Sequence, residues 1–399
     1  MKVAYVLGRF PVVSETFVAG EIRAMEELGH EVRVFALGEG DDEGRGLLGG
    51  LRAPVSVLAR ERTARALARI AAFAIARPWA TLRGLIGARR LGGWREARQL
   101  VRALSWAWDP WLSSADRIHA HFASEPARVA HRLHVATGVP FGVTAHAVDL
   151  FPLAADVARR LAHASWFVTV CDYNRACLRE AHPELGGEGL HVVPCGVDPE
   201  RFRRVGRQRP VPPRLVAVGR LVPKKGLIDL VEAARRLRER GLAFEVRIVG
   251  DGPERASLEE RIRAATLESQ VRLLGVLGHE AVRDEIEAAT VLVLPAVIAP
   301  DGDRDSMPLV LKEAMSLEVP VVATRVAGLP EAVAEDCGRL VPPHDPAALA
   351  DAVAELLAAP ESAREALGRR GRARVVERFD IRALTADFAR VLENARGSA

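Results

Sequence analysis

Short apolar runs alternate with amphipathic stretches along most of this chain. Residues 3–8, VAYVLG, form a continuous apolar run of strand length. A loop, GRFPVVSE, follows, and then residues 16–28 place Val18, Ile22 and Met25 on one helical face. Gly29 stops that helix, and Val32, Val34 and Ala36 alternate across 30–37, which predicts a second strand. Strand, loop, helix, strand is the opening of a doubly wound α/β domain. RIHAHFA (117–123), FGVTAHAVD (141–149), WFVTVCD (166–172) and LHVVPCG (190–196) continue the series.

Residues 203–213, RRVGRQRPVPP, are basic, Pro-rich and aperiodic, which predicts a domain boundary. A second series starts at Arg214 with the strand RLVAVGRL. Leu227, Leu230, Val231, Ala234 and Leu237 share one face of a helix over 227–240. The strands FEVRIVG, VRLLG and VLVLP then alternate with helices over 254–265 and 279–289, and helices over 346–358 and 361–378 follow later. Apolar strands separated by helices argue for parallel sheets covered on both faces. With ~100–200 residues per domain as a guide, 399 residues make two domains. We expect two Rossmann-like domains facing a cleft, over 1–206 and 207–380, with a last helix in 381–399 returning to the first.

Composition narrows the class. At 49% hydrophobic and 27% charged, the chain reads as a soluble globular protein. It has no run of ~18 apolar residues to cross a membrane, and its N-terminal strand is too short for a secretory signal. Cys171, Cys177, Cys195 and Cys337 form no CxxC pair and suit a reducing, cytoplasmic setting. The net charge of +4 is unevenly placed: residues 51–110 hold twelve arginines against Glu61, Glu96 and Asp109. Trp79, Trp94, Trp106, Trp108 and Trp111 lie in or just after this stretch. Its helical insertion near 60–111 has two readings. In one, tryptophans pack on the first domain and arginines face solvent. In the other, which we favour, it rests on an anionic membrane with arginines near phosphates and tryptophans at the interface; the shared face of Leu82, Leu85 and Ile86 followed by Arg89 and Arg90 fits either. No motif supports nucleic-acid binding.

Two segments carry the chemistry. PAVIAPDGDRDSMPLVLKEAMSLEVPVVATRVAGLPE (295–331) reads as a strand end, an acidic loop, a helix opened by Pro308, and another strand. Asp305 and Glu313 flank the helix start, whose free N–H groups suit a diphosphate. VGRLVPKKG (218–226) puts Arg220 at a strand end and Lys225 at the mouth of the next helix, where ligands of open α/β sheets bind. Two cations there can stabilise a departing diphosphate. Taken alone, that loop reads equally well as a solvated basic turn. VGDGPE (249–254) is a small-residue turn that lets a base approach the backbone near Gly250. The first loop lacks GxGxxG, so a dinucleotide site is not supported. Asp301-Gly302-Asp303 looks like a DxD metal motif, but Arg220, Lys225 and the helix N-terminus already supply positive charge, and we assign no metal. There is no Ser/His/Asp triad and no HExxH.

In this order these pieces resemble the retaining glycosyltransferases of family 4, of GT-B fold. GR-x4-KG at 219–226, GDGP at 250–253, the acid-x7-Glu at 305–313 and EAM-x4-PVVAT-x3-G-x-PE at 313–331 carry the likeness in the second half. RFPVVSETF (9–17), IHAHFA (118–123), TAHAVD (144–149) and CGVDPERF (195–202) resemble the exopolysaccharide, colanic-acid-type members. The resemblance implies a nucleotide-sugar donor, a saccharide or lipid-linked acceptor, and no further cofactor. Arg220 and Lys225 match the diphosphate-binding cations, and Asp305 matches the acid holding the transferred sugar. Ser306, Met307, Pro308, Leu309 and Val310 match the segment touching sugar and phosphate, and Glu313 matches the ribose-binding acid. His146 matches a histidine near the reacting sugar, while Ser14 and Glu15, on the first loop, and His121 fall on the acceptor side. Two departures stand out. The first acid is usually Glu and is here Asp305, whose task Asp303 can share. Lys312 replaces an apolar residue and reads as a solvated helix position. The rival readings are a sugar-nucleotide epimerase of the same fold and a non-catalytic nucleotide-sugar binding module.

Overall fold

The computed structural model describes residues 1–60, 63–76, 78–79, 82, 105–151, 161, 163–183, 189–206 and 210–395. The chain forms two compact units. The first comprises Met1–Val170, Arg175–Val193 and Thr385–Ala399. Its seven-stranded sheet contains β1 (Lys2–Phe10), β2 (Glu31–Glu39), β3 (Val55–Val57), β4 (Arg117–His121), β5 (Phe141–Ala145), β6 (Trp166–Thr169) and β7 (Leu190–Val192). The order is β3-β2-β1-β4-β5-β6-β7, with the described pairs parallel. Alternation along β1 sends Tyr5 and Leu7 to one face and Ala4 and Val6 to the other. The helix Thr16–Glu27 packs Val18, Ile22 and Met25 against the first face, and Glu125–Thr137 packs Val129 and Leu133 against the second. Covered on both faces, β1 is an apolar run rather than an alternating one.

The second unit comprises Cys171–Asn174 and Pro194–Leu384. Its six strands are β8 (Arg214–Val218), β9 (Glu245–Val249), β10 (Val271–Gly275), β11 (Val291–Leu294), β12 (Val321–Thr324) and β13 (Gly338–Val341). They run parallel in the order β10-β9-β8-β11-β12-β13. The helix Leu227–Glu239 buries the five apolar residues that the periodicity assigns to one face. In each sheet the winding reverses once among the described strands, at β1/β4 and at β8/β11. Those two switch points are where doubly wound sheets open a crevice beyond their strand ends.

The chain enters the second unit at Pro194, ahead of the basic, Pro-rich stretch expected to separate the domains. CGVDPERF explains the shift. Val197 N donates to the Phe379 carbonyl at 2.9 Å, and Ile381 N donates to Val197 at 3.0 Å. Arg382 pairs with Asp198 at 3.1 Å. These bonds tie 195–202 to the second unit before the composition changes. The final helix, Ile381–Asn394, contributes Phe388 and Leu392 to the core around Tyr5 and Trp166, and Arg117 donates to the Leu392 carbonyl at 2.8 Å.

The Arg/Trp-rich segment divides. Trp106 and Trp111 are buried against Phe35, so they are core residues rather than interfacial ones. Ile75 and Trp79 are 82% and 72% exposed, and Leu82 is exposed as well. Trp94, Leu85, Ile86, Arg89 and Arg90 lie outside the described residues. Among the described residues, no helix is long and apolar enough to cross a membrane.

Candidate active site

The loops after β8 and β11 meet at the second unit's switch point. Gly226 closes the β8 loop at φ +61°, and a Cβ there would sit 1.9 Å from the Pro295 carbonyl oxygen. Val297 N also donates to the Lys224 carbonyl at 2.9 Å, so the two loops are locked backbone to backbone. This contact aligns two lysines with two aspartates. Lys225 Nζ lies 2.6 Å from Asp305 Oδ2. Lys224 Nζ lies 3.0 Å from Asp303 Oδ2 and 3.6 Å from Asp305 Oδ1. Burial raises the Asp305 pKa, but Lys225 and Lys224 outweigh it and hold the carboxyl below its ordinary value. Asp305 is thus an anion pinned by two cations. Arg220, at the same strand end, is exposed and pairs with none of the described residues.

Pro308 precedes the helix Leu309–Ser316 and itself offers no N–H, while the first-turn N–H groups of Leu309 and Val310 have no intrahelical acceptor, as at any helix start. Met307 and Val310 are buried beside this end. Ser306 Oγ donates to Asn174 Oδ1 at 2.8 Å. Glu313 lies just over one turn in. Burial pushes its carboxyl up to about 7, against the downward pull of Lys312 and Arg201. Lys312 is not solvated, contrary to the sequence expectation: it is fully buried, its Nζ bonds the Cys195 carbonyl, and it sits 5.3 Å from the centroid of the Phe379 ring. Burial lowers its ammonium to about 8. Lys312 faces inward, where the Cys195 carbonyl supplies an acceptor. On the β9 loop, Gly250 stands at φ +132°, where a Cβ would lie 2.0 Å from the Gly219 oxygen, so only glycine lets these two strand ends close up.

In the first unit, the strand ends at the β1/β4 switch point gather histidines. His121 ends β4, and His146 follows β5 as the residue before the turn Ala147–Leu150. Their rings stack with centroids 5.6 Å apart, with His121 Nδ1 3.3 Å from His146 Nε2. Burial, the largest cause, pushes His146 well below its ordinary pKa. Ser14 and Glu15 lie on the turn after β1, Ser14 exposed and Glu15 half-buried. Burial lifts Glu15 to about 7, while His121 pulls it down.

The second unit therefore brings Arg220, Lys225, Gly250, Asp305, Ser306, Met307, Pro308, Leu309, Val310 and Glu313 to one group of loops and one helix. The first unit brings Ser14, Glu15, His121 and His146 to its own strand ends. Sequence reasoning missed Lys224 and Asn174, as well as Tyr5 and Glu21 beside His121. Lys224 was hidden because a lysine in a polar loop carries no sign of burial. Tyr5 looked like one more apolar strand residue.

Comparison with known proteins agrees with this division. Residues 14–201 match the family described as Glycosyltransferase Family 4, and 212–359 match that described as Glycosyl transferases group 1. A putative colanic acid biosynthesis glycosyltransferase, WcaL of Salmonella typhimurium, is 30% identical across 98% of this chain and 100% of its own. The amylovoran biosynthesis glycosyltransferase AmsK of Erwinia amylovora is 29% identical, covering 88% of this chain and 89% of its own. Among solved structures, Anabaena HepE in complex with UDP and glucose superposes with a TM-score of 0.73 at 18% identity, over 99% of this chain and 100% of its own. The sucrose-phosphate synthase of Thermosynechococcus elongatus gives 0.69 at 20% identity, over 98% of each chain. With these matches running the length of both units, the chain belongs to glycosyltransferase family 4 and is a glycosyltransferase of GT-B fold.

Proposed function

We propose that the protein transfers a hexosyl group, with retention at the anomeric carbon, from a nucleoside-diphosphate sugar to a hydroxyl of a saccharide or lipid-linked saccharide. The glycan would be an exopolysaccharide or related cell-surface polymer, a reading supported by the names of the colanic acid and amylovoran relatives. The observation that carries it is the lysine–aspartate cluster at the β8/β11 switch point, set directly before a helix N-terminus with Glu313 just inside. A diphosphate leaving group gains charge as the glycosidic bond breaks, and fixed cations and N–H groups stabilise it most in the transition state. Arg220, Lys225 and the N–H groups of Leu309 and Val310 fill that role. Asp305, Ser306 and Met307 face the sugar, Glu313 accepts from the ribose hydroxyls, and the Gly250 turn admits the base. The UDP and glucose held by the structural neighbour HepE support this class of donor. His146, His121, Ser14 and Glu15 lie on the reacting and acceptor side. We take the reaction to be metal-independent, because Lys224 pairs with Asp303, one of the two acids of the metal-like run, and Lys225 with Asp305.

A lipid-linked acceptor would bring the enzyme to the cytoplasmic face of an anionic membrane, with the exposed Ile75 and Trp79 as contacts. Co-sedimentation with anionic vesicles tests this: W79A should lower the bound fraction, and equal binding to neutral vesicles would refute it.

The central test incubates the protein with labelled nucleotide sugars, with and without lipid-linked saccharides, in buffer containing EDTA. Transfer that needs the acceptor and yields the donor's anomeric configuration by NMR supports the reading. Donor turnover without acceptor would identify an epimerase, binding without turnover a binding module, and complete loss in EDTA a metal enzyme.

A further inference from the structure

Beneath the first unit's switch point lies a chain of buried polar groups that the proposed reaction does not explain. Tyr5 O–H donates to Glu21 Oε1 at 2.8 Å. The same oxygen lies 3.1 Å from His121 Nε2, and His121 Nδ1 lies 3.3 Å from His146 Nε2. Tyr5 is inaccessible, and His121 and His146 are 1% and 9% exposed. Phe17 and Phe122 pack on His146 with centroids 4.9 and 4.6 Å away, while the Glu21 side chain is 18% exposed.

We propose that Tyr5, Glu21 and His121 are positioning residues, a relay that fixes His146 in the neutral tautomer with its proton on Nε2 and its lone pair on Nδ1. The order of protons follows from donor and acceptor inventory. A carboxylate only accepts, so His121 Nε2 carries the proton that faces Glu21. The relay holds His121 neutral, with its lone pair at Nδ1. His146 Nε2 must therefore be the donor across the 3.3 Å contact, and its remaining lone pair sits at Nδ1. Burial opposes a second proton on His146. The backbone fixes the ring's base as well: His146 N donates to the buried Asp149 Oδ2 at 3.0 Å. The Asp149 N–H points back at the His146 side chain, which engages its lone pair, so that His146, if it faces the donor sugar as in the proposed function on which this consequence rests, presents no N–H donor to it.

The same cluster has to be weighed as a metal site, because Glu21, His119 and His121 bring ligand atoms within 4.8 Å of one another. His119 argues against it. Trp166 Nε1–H can only donate, and it points at His119 Nδ1 from 3.4 Å. The His119 proton therefore lies on Nε2, 3.1 Å from Thr144 Oγ1. Both His119 lone pair and proton are committed, and a metal would have to strip protons from two imidazoles and displace Tyr5 from Glu21.

Long-range proton–nitrogen correlation spectra of the full chain, labelled with 15N-histidine at neutral pH, test the relay directly. His121 and His146 are assigned by their loss in His121→Phe and His146→Gln. The expected wild-type spectrum has both residues protonated at Nε2 and bare at Nδ1, and a proton on Nδ1 of either overturns the proposal. This measurement needs only the wild-type fold. In His121→Phe, His146 should move to a mixture of tautomers while the melting transition persists, and the donor KM should rise about ten-fold with a smaller change in kcat. An unchanged His146 spectrum in that variant refutes the relay. Kinetics of His146→Gln separate the two readings: unchanged donor KM there removes the donor-facing role of His146 and leaves the tautomer result standing. Stoichiometric zinc uptake that abolishes the Nε2 protons would replace the relay by a metal site.

Discussion

Asp305→Asn should strengthen the binding of free UDP while weakening sugar transfer. Asp305 holds Lys225 at 2.6 Å, in a site where both side chains are about one-eighth exposed. A diphosphate has to share that ammonium with a carboxylate that also repels it. A hydrogen bond to a charged group contributes about 1.5–3 kcal/mol. Asparagine keeps an oxygen for Lys225 but loses the charge, so about half of that, near 1.4 kcal/mol or ten-fold in Kd, should return to the diphosphate. Lys224 is not stranded, because Asp303 holds it at 3.0 Å. The sugar hydroxyls lose an anionic acceptor, which lowers kcat/KM about 10- to 100-fold. The empty protein should lose about 2 kcal/mol of stability, less than for an outright broken buried pair because the amide still accepts. Titration calorimetry with UDP and GDP, beside an initial-rate assay, reads both effects. Weaker diphosphate binding in Asp305→Asn, or transfer at the wild-type rate, would refute the placement of Lys225 and Asp305 on one donor.

Glu313→Gln should flatten a pH dependence. Because burial raises the folded-state carboxyl to about 7, the native state binds more protons than the unfolded chain between pH ~4.5 and ~7, and stability from this group falls by about 3 kcal/mol as pH rises through that window. Denaturant melts at pH 5 and 8 should show the variant gaining on wild type at pH 8, and parallel curves would contradict the burial argument. Lys312→Met removes the cation that pulls Glu313 down, so the pH profile of donor KM should move upward. It also strips the Cys195 carbonyl of its donor, at a cost of about 1–3 kcal/mol. Gly226→Ala should cost about 2–4 kcal/mol and impair donor binding, since its Cβ collides with Pro295; normal donor Kd would show that the two loops need not be locked. Lys225→Ala should raise the donor KM at least ten-fold, and rates near wild type would remove it from the diphosphate site.

Much of the fold was legible because both sheets are covered on both faces, which writes their strands as apolar runs and their helices as one-sided stripes. The stripe of Leu227, Leu230, Val231, Ala234 and Leu237 is an instance the structure reproduces residue for residue. Long-range backbone pairing was not legible. Nothing local marks Val197 as a partner of Phe379 and Ile381, so the domain crossing was expected too late in the chain. Buried charge was equally silent. Lys224 and Lys312 look like surface lysines in the sequence, and only the acceptors brought to them by distant segments, Asp303 and the Cys195 carbonyl, make their burial affordable. The same holds for Tyr5, whose hydroxyl needs Glu21 from a helix.

The shortened acid and the second lysine explain one another. A glutamate at 305 would reach one methylene further toward the sugar without help. An aspartate reaches less far and gains more from a rigid placement. Lys224 provides it: buried, it lies 3.0 Å from Asp303 Oδ2 and 3.6 Å from Asp305 Oδ1, while Lys225 holds Asp305 Oδ2 at 2.6 Å. The arrangement also accounts for the acidic run that looks like a metal motif. Asp303 pairs with Lys224 at 3.0 Å. If that is the division of labour, Lys224→Met should harm a protein carrying Asp305 far more than one in which Asp305→Glu has restored the longer reach. A double-mutant cycle on donor kcat/KM should then show coupling of about 1 kcal/mol or more between the two positions. Additive effects would mean that Lys224 stabilises the loop without aiming the acid.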